Sequence, residues 1–476
     1  MPKINNLMKK KILFCAAEAA PLAKVGGLAD VVGSLPAALR GQGIDARVII
    51  PLHAGISWRK LGGQKIFSFK ISIEGKREII NVYQLRIKQT IFYLLGNKTY
   101  FSGGVYEGDS VKKYLFFSRA VLAVLSDLPF HPDIIHAHDF HAAPIIVELA
   151  SLSRQNRPAL VLTIHNLQHQ GWSSLKNIEA FSFRPSDFSS DAKNKQGDWF
   201  NLLAAGILAA DKITTVSPNY AVEILTRAYG QGLEKLLYRR RRDLVGILNG
   251  LDVDVFNAAK DKLLLRNYQT ADIKRGKYLN REAIRSYLQF PASTEPLFVF
   301  IARFSNQKGL DLFKSASLHR LAKRYPFQLV FLGSGEEKYE QLVADLSKNL
   351  SEMIRVINVF DESLAHNLYA AADYFLVPSR FEPCGLTQMI AMRYGAVPIV
   401  RATGGLKDTV QNNKTGLVFK DYSAVSFANV LEKALKLYYQ NQTEYLSLQA
   451  AGRAQDWSWA ASAPEYRRLY DLLGAI

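Results

Sequence analysis

The chain has 476 residues, of which 48% are hydrophobic and 21% are charged. This length is too great for one hydrophobic core and suits two domains of ordinary size. The composition excludes a disordered or fibrous protein, and no apolar run approaches the roughly 18 to 20 residues of a membrane-spanning helix. The formal net charge is +18, but the densest basic run, residues 239–242, lacks the interleaved aromatic residues that stack on bases. We therefore expect neither a nucleic-acid nor a membrane partner.

The first residues look superficially like a signal peptide, because lysines precede the apolar stretch at residues 12–17. Glu18 interrupts that stretch and no small-residue cleavage site follows, so a buried first strand is the better interpretation. Two cysteines provide no disulfide framework, as in a reducing compartment. We expect a cytoplasmic protein.

Short apolar runs alternate with helical patterns in the first half of the chain. Strands are predicted at residues 11–16, 46–50, 133–136, 159–164, 212–216 and 245–248, and helices at residues 28–40 and 142–152. Period-two alternation between residues 65 and 95 predicts inserted hairpins.

A second series begins near Pro296. Its predicted strands are residues 297–301, 328–332, 354–359, 374–377 and 398–400. Their near-continuous apolar character indicates parallel sheets covered on both faces. We therefore predict an α/β chain of two doubly wound domains joined by a linker at residues 251–295, with a helical segment at residues 459–473. A ligand is expected at the carboxyl ends of the strands, in the cleft between the domains.

Two strand-to-helix loops have the composition of anion sites. In the first, Lys24 precedes Gly26 and Gly27, whose backbone amides are free to approach an anion at a helix start. A tight turn explains those glycines equally well. In the second, Arg303 and Lys308 follow a predicted strand and have the spacing to converge on a diphosphate; a solvated loop is the alternative.

The segment Pro-Ser-Arg-Phe-Glu-Pro-Cys-Gly-Leu-Thr-Gln, residues 378–388, is the most informative. It follows a buried strand, so Glu382 is predicted at the end of that strand. Proline and glycine fix the backbone there and leave amides available to a ligand. Residues 401–406, after the next strand, repeat the glycine-bearing pattern.

Seven segments together resemble the glycogen and starch synthases. In chain order they are Lys-x-Gly-Gly-Leu-Ala-Asp (24–30), His-Ala-His-Asp-x-His (136–141), His-Asn-Leu-x-x-Gln-Gly (165–171), Val-Ser-Pro (216–218), Leu-Asn-Gly-Leu-Asp (248–252), Arg-Phe-x-x-Gln-Lys-Gly-Leu-Asp (303–311) and Arg-Phe-Glu-Pro-Cys-Gly-Leu-Thr-Gln (380–388). They cover nearly the whole chain.

The resemblance implies a retaining glycosyltransferase of the GT-B type that needs no metal and no cofactor. Two Rossmann-like domains would face each other across a cleft, at residues 1–255 and 256–458, with residues 459–476 packing back on the first. The implied reaction moves glucose from ADP-glucose to the non-reducing end of an α-1,4-glucan, extending glycogen. The alternatives are another nucleotide sugar, such as UDP-glucose, or an inactive glucan- or nucleotide-binding relative.

The resemblance also implies residue roles. The catalytic set is Glu382, Arg303, Lys308, His165 and Asp139, with the two basic residues on the diphosphate, Glu382 on the donor glucose and Asp139 near the acceptor. Substrate contacts are implied for Lys24, Gly26, Gly27, Asp30, Asn166, Asn249, Cys384, Gly385, Leu386, Thr403, Gly404 and Gly405, and Phe360 would lie against adenine.

The sequence departs from the family in places, most of all at Ala204, where many relatives have lysine. His169 replaces a common tyrosine, and Ile390 stands where wider GT-B families have a second glutamate. A rival interpretation takes the histidines of residues 136–141 as metal ligands of a hydrolase. The segment Asp252-Val253-Asp254 also mimics a metal motif, but it follows Asn249 and Gly250 and is better explained as a turn and helix cap.

Overall fold

The computed structural model describes residues 10–194, 197–359 and 361–474. The chain divides into two compact units. One runs up to Gly250 and includes the segment from Trp459 onward, and the other spans Leu251–Ser458. The division falls after Gly250, earlier than the predicted boundary between residues 255 and 256. No helix in the described ranges is long and apolar enough to cross a membrane.

The first unit is built on a mixed sheet. Its strands are β1 (Lys11–Cys15), β2 (Asp45–Pro51), β3 (Gln64–Ile73), β4 (Lys76–Ile87), β5 (Thr90–Gly96), β6 (Ile134–His138), β7 (Ala159–Ile164), β8 (Trp172–Ser174), β9 (Trp199–Asn201), β10 (Lys212–Thr215) and β11 (Leu244–Gly246). In the described part of the chain the sheet order is β11-β10-β7-β6-β1-β2-β5-β4-β3, and β8 pairs with β9 in a separate ribbon. β3, β4 and β5 pair antiparallel, which confirms the predicted hairpins.

Helices cover the parallel part of this sheet. They are α1 (Gly27–Gly41), α2 (Ser110–Val124), α3 (Asp139–Ala150), α4 (Leu175–Ala180), α5 (Leu202–Ala209), α6 (Pro218–Glu223) and α7 (Glu234–Arg239). Phe14 and Val48 of the central strands share one buried cluster with Val32 and Leu35 of α1. Burial on both faces explains why these strands are apolar throughout instead of alternating.

The second unit contains a parallel sheet. Its strands are β12 (Leu297–Ile301), β13 (Gln328–Leu332), β14 (Ile354–Ile357), β15 (Tyr374–Val377), β16 (Val397–Arg401) and β17 (Leu417–Phe419). In the described residues the order is β14-β13-β12-β15-β16-β17, and every pair is parallel. The chain order reverses between β12 and β15, and doubly wound sheets bind ligands at such a reversal.

The helices of the second unit begin inside the predicted linker. They are α8 (Ile273–Tyr287), α9 (Ser315–Arg324), α10 (Glu337–Asn349), α11 (Glu362–Ala371), α12 (Thr387–Arg393), α13 (Gly404–Thr409), α14 (Ala424–Gln440) and α15 (Gln442–Arg453). The prediction of a linker at residues 251–295 was wrong because α8 is packed into the unit. Its buried Lys277 ammonium donates to the carbonyls of Ala370 and Tyr394, at 3.0 and 3.1 Å.

The C-terminal segment forms α16 (Trp459–Leu473), which belongs to the first unit. Its buried face joins the cluster that includes β1 and α1, through Tyr466, Tyr470 and Leu473. The Tyr470 hydroxyl also lies 2.7 Å from Nδ1 of His136 at the centre of the sheet. The last helix therefore completes the core of the first unit.

Candidate active site

Three loops of the second unit leave the carboxyl ends of neighbouring strands, and each carries predicted site residues. Arg303 follows β12, Glu382 follows β15 and Thr403 follows β16. Because β15 pairs with both β12 and β16, the three loops begin side by side. The sequence predictions in this unit therefore converge on one edge of the sheet, at the reversal of strand order.

Two of the predicted catalytic residues are in direct contact. Lys308 Nζ lies 2.7 Å from Glu382 Oε2, and the Ser379 hydroxyl donates to the same oxygen at 2.8 Å. The Glu382 side chain is buried, and a buried carboxylate is tolerated only when it is paired and hydrogen-bonded. The resemblance implied separate roles for these two residues, and their ion pair was not predicted.

The loop that carries Glu382 is held by the loops on both sides of it. The backbone N–H of Arg380 donates to the Gln307 carbonyl at 2.8 Å, and the N–H of Gly405 donates to the Glu382 carbonyl at 3.1 Å. Gly404 has a φ of +45°, and a Cβ there would lie 1.9 Å from the Glu382 carbonyl oxygen. Only glycine fits that position, so the predicted residues 403–405 serve at least to lock the Glu382 loop.

The predicted backbone contacts at residues 384–386 lie in the same network. The side-chain amide of Gln388 donates to the carbonyls of Cys384 and Gly385, at 3.3 and 2.7 Å. These bonds fix the turn that leads into α12. Phe360 lies outside the described residues, so its predicted place against adenine stays a prediction.

Arg303 differs from Lys308 in being exposed. Its guanidinium acts on Glu336, whose pKa is lowered mainly by Lys338, then by the N–H of Asn306, and to a smaller extent by Arg303. Arg303 therefore contributes positive potential at the end of β12 without being part of the Lys308–Glu382 pair.

In the first unit, a buried glutamate organises the glycine-bearing loop. Glu18 Oε2 accepts hydrogen bonds from the N–H groups of Val25 at 2.5 Å and Gly26 at 3.4 Å, and the Tyr106 hydroxyl donates to its other oxygen at 3.1 Å. Burial raises the pKa of Glu18 to about 7, although these hydrogen bonds act to lower it. The position of Glu18 just after a buried strand was the available sequence signal. It was interpreted only as the end of an apolar run, and its role in the loop was not predicted.

The predicted residues around that loop lie close together. Lys24 Nζ is 2.7 Å from Asp30 Oδ1, so lysine and aspartate form an ion pair across the start of α1. Gly26 and Gly27 lie between them, with Gly26 as the N-cap of the helix. The loop has the predicted strand-to-helix form, with the Gly26 N–H directed at Glu18, and anion binding there stays a prediction.

Glu18→Gln should make the free energy of unfolding less dependent on pH. The pKa of Glu18 is about 7 in the folded protein, against an ordinary value of 4.5. Between those values the folded state holds a proton that the unfolded state has released, so stability falls as pH rises. Glutamine does not titrate, so the variant does not lose stability in this way. Its free energy of unfolding, relative to that of the parent, should therefore rise by about 3 kcal/mol from acidic pH to pH values above neutral.

Urea unfolding at about pH 5 and about pH 8 measures this difference. Glu179→Gln, which replaces an exposed carboxylate of the same unit, is the matched control and should give no such growing advantage. If Glu18→Gln and the parent differ in stability by the same amount at both pH values, the interpretation of Glu18 as a buried carboxylate is contradicted.

Asp139 stands at the junction of β6 and α3 in a strained conformation. Its φ of +53° is unusual for a residue other than glycine, and such strain concentrates at functional sites. The carboxylate accepts a hydrogen bond from the N–H of His165 at 2.7 Å, and burial raises its pKa to about 7. Asp139 thus anchors the loop after β7 that carries His165 and Asn166.

The histidines of this region form a buried chain of neutral rings. Nδ1 of His138 lies 2.8 Å from Nε2 of His165, and His136 bonds to the Thr163 hydroxyl at 2.6 Å. Burial lowers the pKa of His136 and of His165 to about 3. Across the residues that the structure describes, no group of three or more His, Cys, Asp or Glu is placed to hold a metal ion, which leaves the hydrolase interpretation without support.

Three further positions bear on the sequence predictions. Oδ1 of Asn249 is buried without a hydrogen-bond partner in the described structure, a state that typically costs about 1 to 3 kcal/mol and that a ligand donor would relieve. Ala204 is buried in α5. Asp252 accepts from the N–H of Asp254 at 3.0 Å, which confirms the predicted turn, whereas the predicted helix cap was wrong because the next helix of the described residues begins only at Ile273.

The chain is similar to known proteins over both of its units. A family model described as the starch synthase catalytic domain matches residues 11–239, and one described as glycosyl transferases group 1 matches residues 282–453. The chain is 37% identical to a glycogen synthase of Anoxybacillus flavithermus, over 98% of both chains. It is 38% identical to one of Moorella thermoacetica, over 97% of this chain and 96% of the relative.

A solved structure is similar over the same length. It is the catalytic domain of starch synthase IV from Arabidopsis thaliana bound to ADP and acarbose, with a TM-score of 0.90 and 30% identity, covering 98% of this chain and 100% of that one. The resemblance predicted from the seven motifs is therefore confirmed, and the chain belongs to the glycogen synthase family of GT-B glycosyltransferases.

Proposed function

We propose that this chain transfers glucose from ADP-glucose to the non-reducing end of an α-1,4-glucan, with retention at the anomeric carbon and without a metal ion. The observation that carries the proposal is the placement of Arg303 and the Lys308–Glu382 pair at the carboxyl ends of adjacent strands. Family membership supports the glucan acceptor, and the related plant enzyme whose structure contains ADP supports the adenine nucleotide.

The chemistry matches these residue types. Departure of ADP leaves an oxocarbenium-like sugar and an anionic diphosphate, so fixed positive charge on the phosphates lowers the barrier. Arg303 supplies a planar fork and Lys308 a compact ammonium. We propose that Lys308 stays paired with Glu382 on one side while it meets the diphosphate on the other. Glu382 then both positions the ammonium and faces the donor glucose.

Residues of the first unit take the remaining roles in the proposal. Lys24, Gly26, Gly27 and Asp30 are assigned to the donor, His165, Asn166 and Asn249 to its glucose, and Asp139 to the acceptor side. A pKa near 3 keeps His165 neutral at physiological pH, so we assign it a hydrogen bond to the sugar rather than a positive charge. The unpartnered Oδ1 of Asn249 supports a sugar hydroxyl as its donor.

We also propose that the protein works in the cytoplasm. Neither Cys15 nor Cys384 forms a disulfide, and both are buried inside their units. Cysteines that stay outside disulfides are typical of a reducing compartment.

Donor competition tests the proposed reaction. With a glycogen primer, equal ADP-glucose and UDP-glucose, and excess EDTA, we expect release of ADP well above release of UDP, and NMR of the product should show a new α linkage. Preferred release of UDP would reject the donor. Loss of transfer in EDTA, restored by Mg²⁺ or Mn²⁺, would reject the metal-free mechanism, and no transfer from either donor would identify an inactive relative.

A further inference from the structure

The ribbon of β8 and β9 carries two exposed tryptophans on the same face. Trp172 pairs with Asn201, and Ser174 pairs with Trp199. The tryptophans are therefore diagonal neighbours, with Cα atoms about 7 to 8 Å apart. Trp172 is 45% exposed and Trp199 is 43% exposed, so two large aromatic surfaces on one face of the ribbon are open to solvent.

The ribbon is a rigid support for these two rings. Phe200, on its opposite face, is fully buried and packs edge-on against Phe188 with ring centroids 5.4 Å apart. The backbone N–H of Leu175 donates to the Asp198 carbonyl at 2.9 Å, and the Asn201 amide donates to the Gln170 side chain at 2.5 Å. These bonds join the two strands at both ends of the ribbon, and the Gln170 side chain also donates to the Gln231 carbonyl at 3.0 Å, which ties the ribbon to the body of the first unit.

The ribbon also continues directly from the candidate site. Gly171, the last residue of the segment that begins at His165, has a φ of +64°. A Cβ there would lie 2.2 Å from the Phe140 ring, and Phe140 directly follows Asp139. Trp172 directly follows Gly171, which packs on the residue next to Asp139. Asp139 is the residue assigned to the acceptor side.

We propose that Trp172 and Trp199 form a stacking platform for the acceptor, an α-1,4-glucan chain. A glucose ring presents a face of C–H groups that packs on an aromatic plane, while its hydroxyls point to water at the ring edge. Two indoles on a rigid ribbon offer such planes at little cost in side-chain entropy. Asp198 and Asn194, which hydrogen bond to each other at 3.0 Å, give the ribbon polar groups suited to sugar hydroxyls. This inference rests on the proposed function.

The first test is glycogen binding in the absence of donor. Affinity electrophoresis in glycogen-containing gels should give a dissociation constant for Trp172→Ala/Trp199→Ala about tenfold above the parent value, equivalent to about 1.4 kcal/mol. Each single alanine variant should show part of that loss, and Trp172→Phe/Trp199→Phe, which keeps aromatic planes, should recover much of it. Circular dichroism checks the fold of every variant.

Tyr287→Ala is the control, because it removes an aromatic ring that is even more exposed, at 68%, from the second unit. It should bind glycogen as the parent does. An equal loss in this variant, or glycogen binding by the folded double variant within about twofold of the parent, would overturn the platform.

Kinetics with two acceptors separate this inference from the proposed function. With ADP-glucose as donor, the double variant should lose more kcat/KM on glycogen than on maltotriose, by at least about fivefold. Equal losses on the two acceptors would reject the platform while leaving the proposed reaction intact. If the parent uses a different donor but glycogen binding still depends on both tryptophans, the platform stands and the donor is wrong. A change of oligomeric state without a change in glycogen binding would identify the ribbon as a contact between copies of this chain.

Discussion

Arg303→Ala should lower kcat for glucose transfer by on the order of 10² to 10³ while leaving the fold intact. Charge on the departing diphosphate grows as the bond to glucose breaks, so a guanidinium fixed beside it binds the transition state more tightly than the ground state. Arg303 is exposed on the loop after β12, and substitutions at such positions usually change stability by less than about 0.5 kcal/mol. The substitution should therefore lower kcat strongly while leaving the stability nearly unchanged.

Lys308→Ala should lower kcat by a similar factor, but it has a second effect. It removes the ammonium that pairs with the buried Glu382 carboxylate and leaves the hydrogen bond from the Ser379 hydroxyl, and removing one member of a buried pair destabilises a protein. Lys308→Arg keeps the charge yet should not restore full activity, since a planar fork does not replace a compact ammonium at a packed site.

Steady-state kinetics and circular dichroism of the three variants test the diphosphate assignment. Lys323→Ala removes a positive charge from an exposed position on α9 of the same unit and is the control for a general electrostatic effect. If Arg303→Ala and Lys308→Ala fold and keep kcat within a factor of about three, less than 1 kcal/mol of barrier, the two residues are ordinary loop charges and the mechanism is wrong.

The sequence was most informative where strands are buried on both faces. The predicted bounds of β7, β12, β13 and β15 agree with the structure, because parallel strands inside an α/β layer appear as unbroken apolar runs bounded by polar turns. The loops of the second unit were placed correctly for the same reason. A motif that follows a buried parallel strand must lie at the carboxyl edge of the sheet.

What the sequence could not provide was pairing between distant polar groups. Lys308 and Glu382 are 74 positions apart, and Tyr106 reaches Glu18 across 88 positions. Neither contact leaves a local pattern, since hydrophobic periodicity records burial and not the partner of a buried charge. The prediction of a linker at residues 251–295 was wrong for the same reason. The composition of α8 resembles that of an exposed segment, but polar contacts such as that of Lys277 anchor the helix.

Glu382→Gln is the second substitution with a large expected effect. Glutamine keeps the size of the side chain and can still accept from Ser379 and Lys308, so the variant should fold. It removes the negative charge that lies against the reacting sugar in the proposed mechanism, where an oxocarbenium-like transition state gains positive charge. We expect kcat to fall on the order of 10²-fold or more. The KM for ADP-glucose should stay within about threefold, because Lys308 remains available to the diphosphate.

Glu337→Gln, on an exposed position of α10, controls for the loss of a carboxylate from the same unit and should keep normal kinetics. Turnover near the parent value in folded Glu382→Gln would reject the role of this carboxylate.

A double-mutant cycle then tests the ion pair itself. If Glu382 acts partly by positioning Lys308 at 2.7 Å, the variant Lys308→Ala/Glu382→Gln should lose much less than the product of the two single losses, since groups that act as one unit are not additive. Losses in kcat that multiply would mean that the lysine and the glutamate act independently, and the shared-charge mechanism would have to be abandoned in favour of two separate substrate contacts.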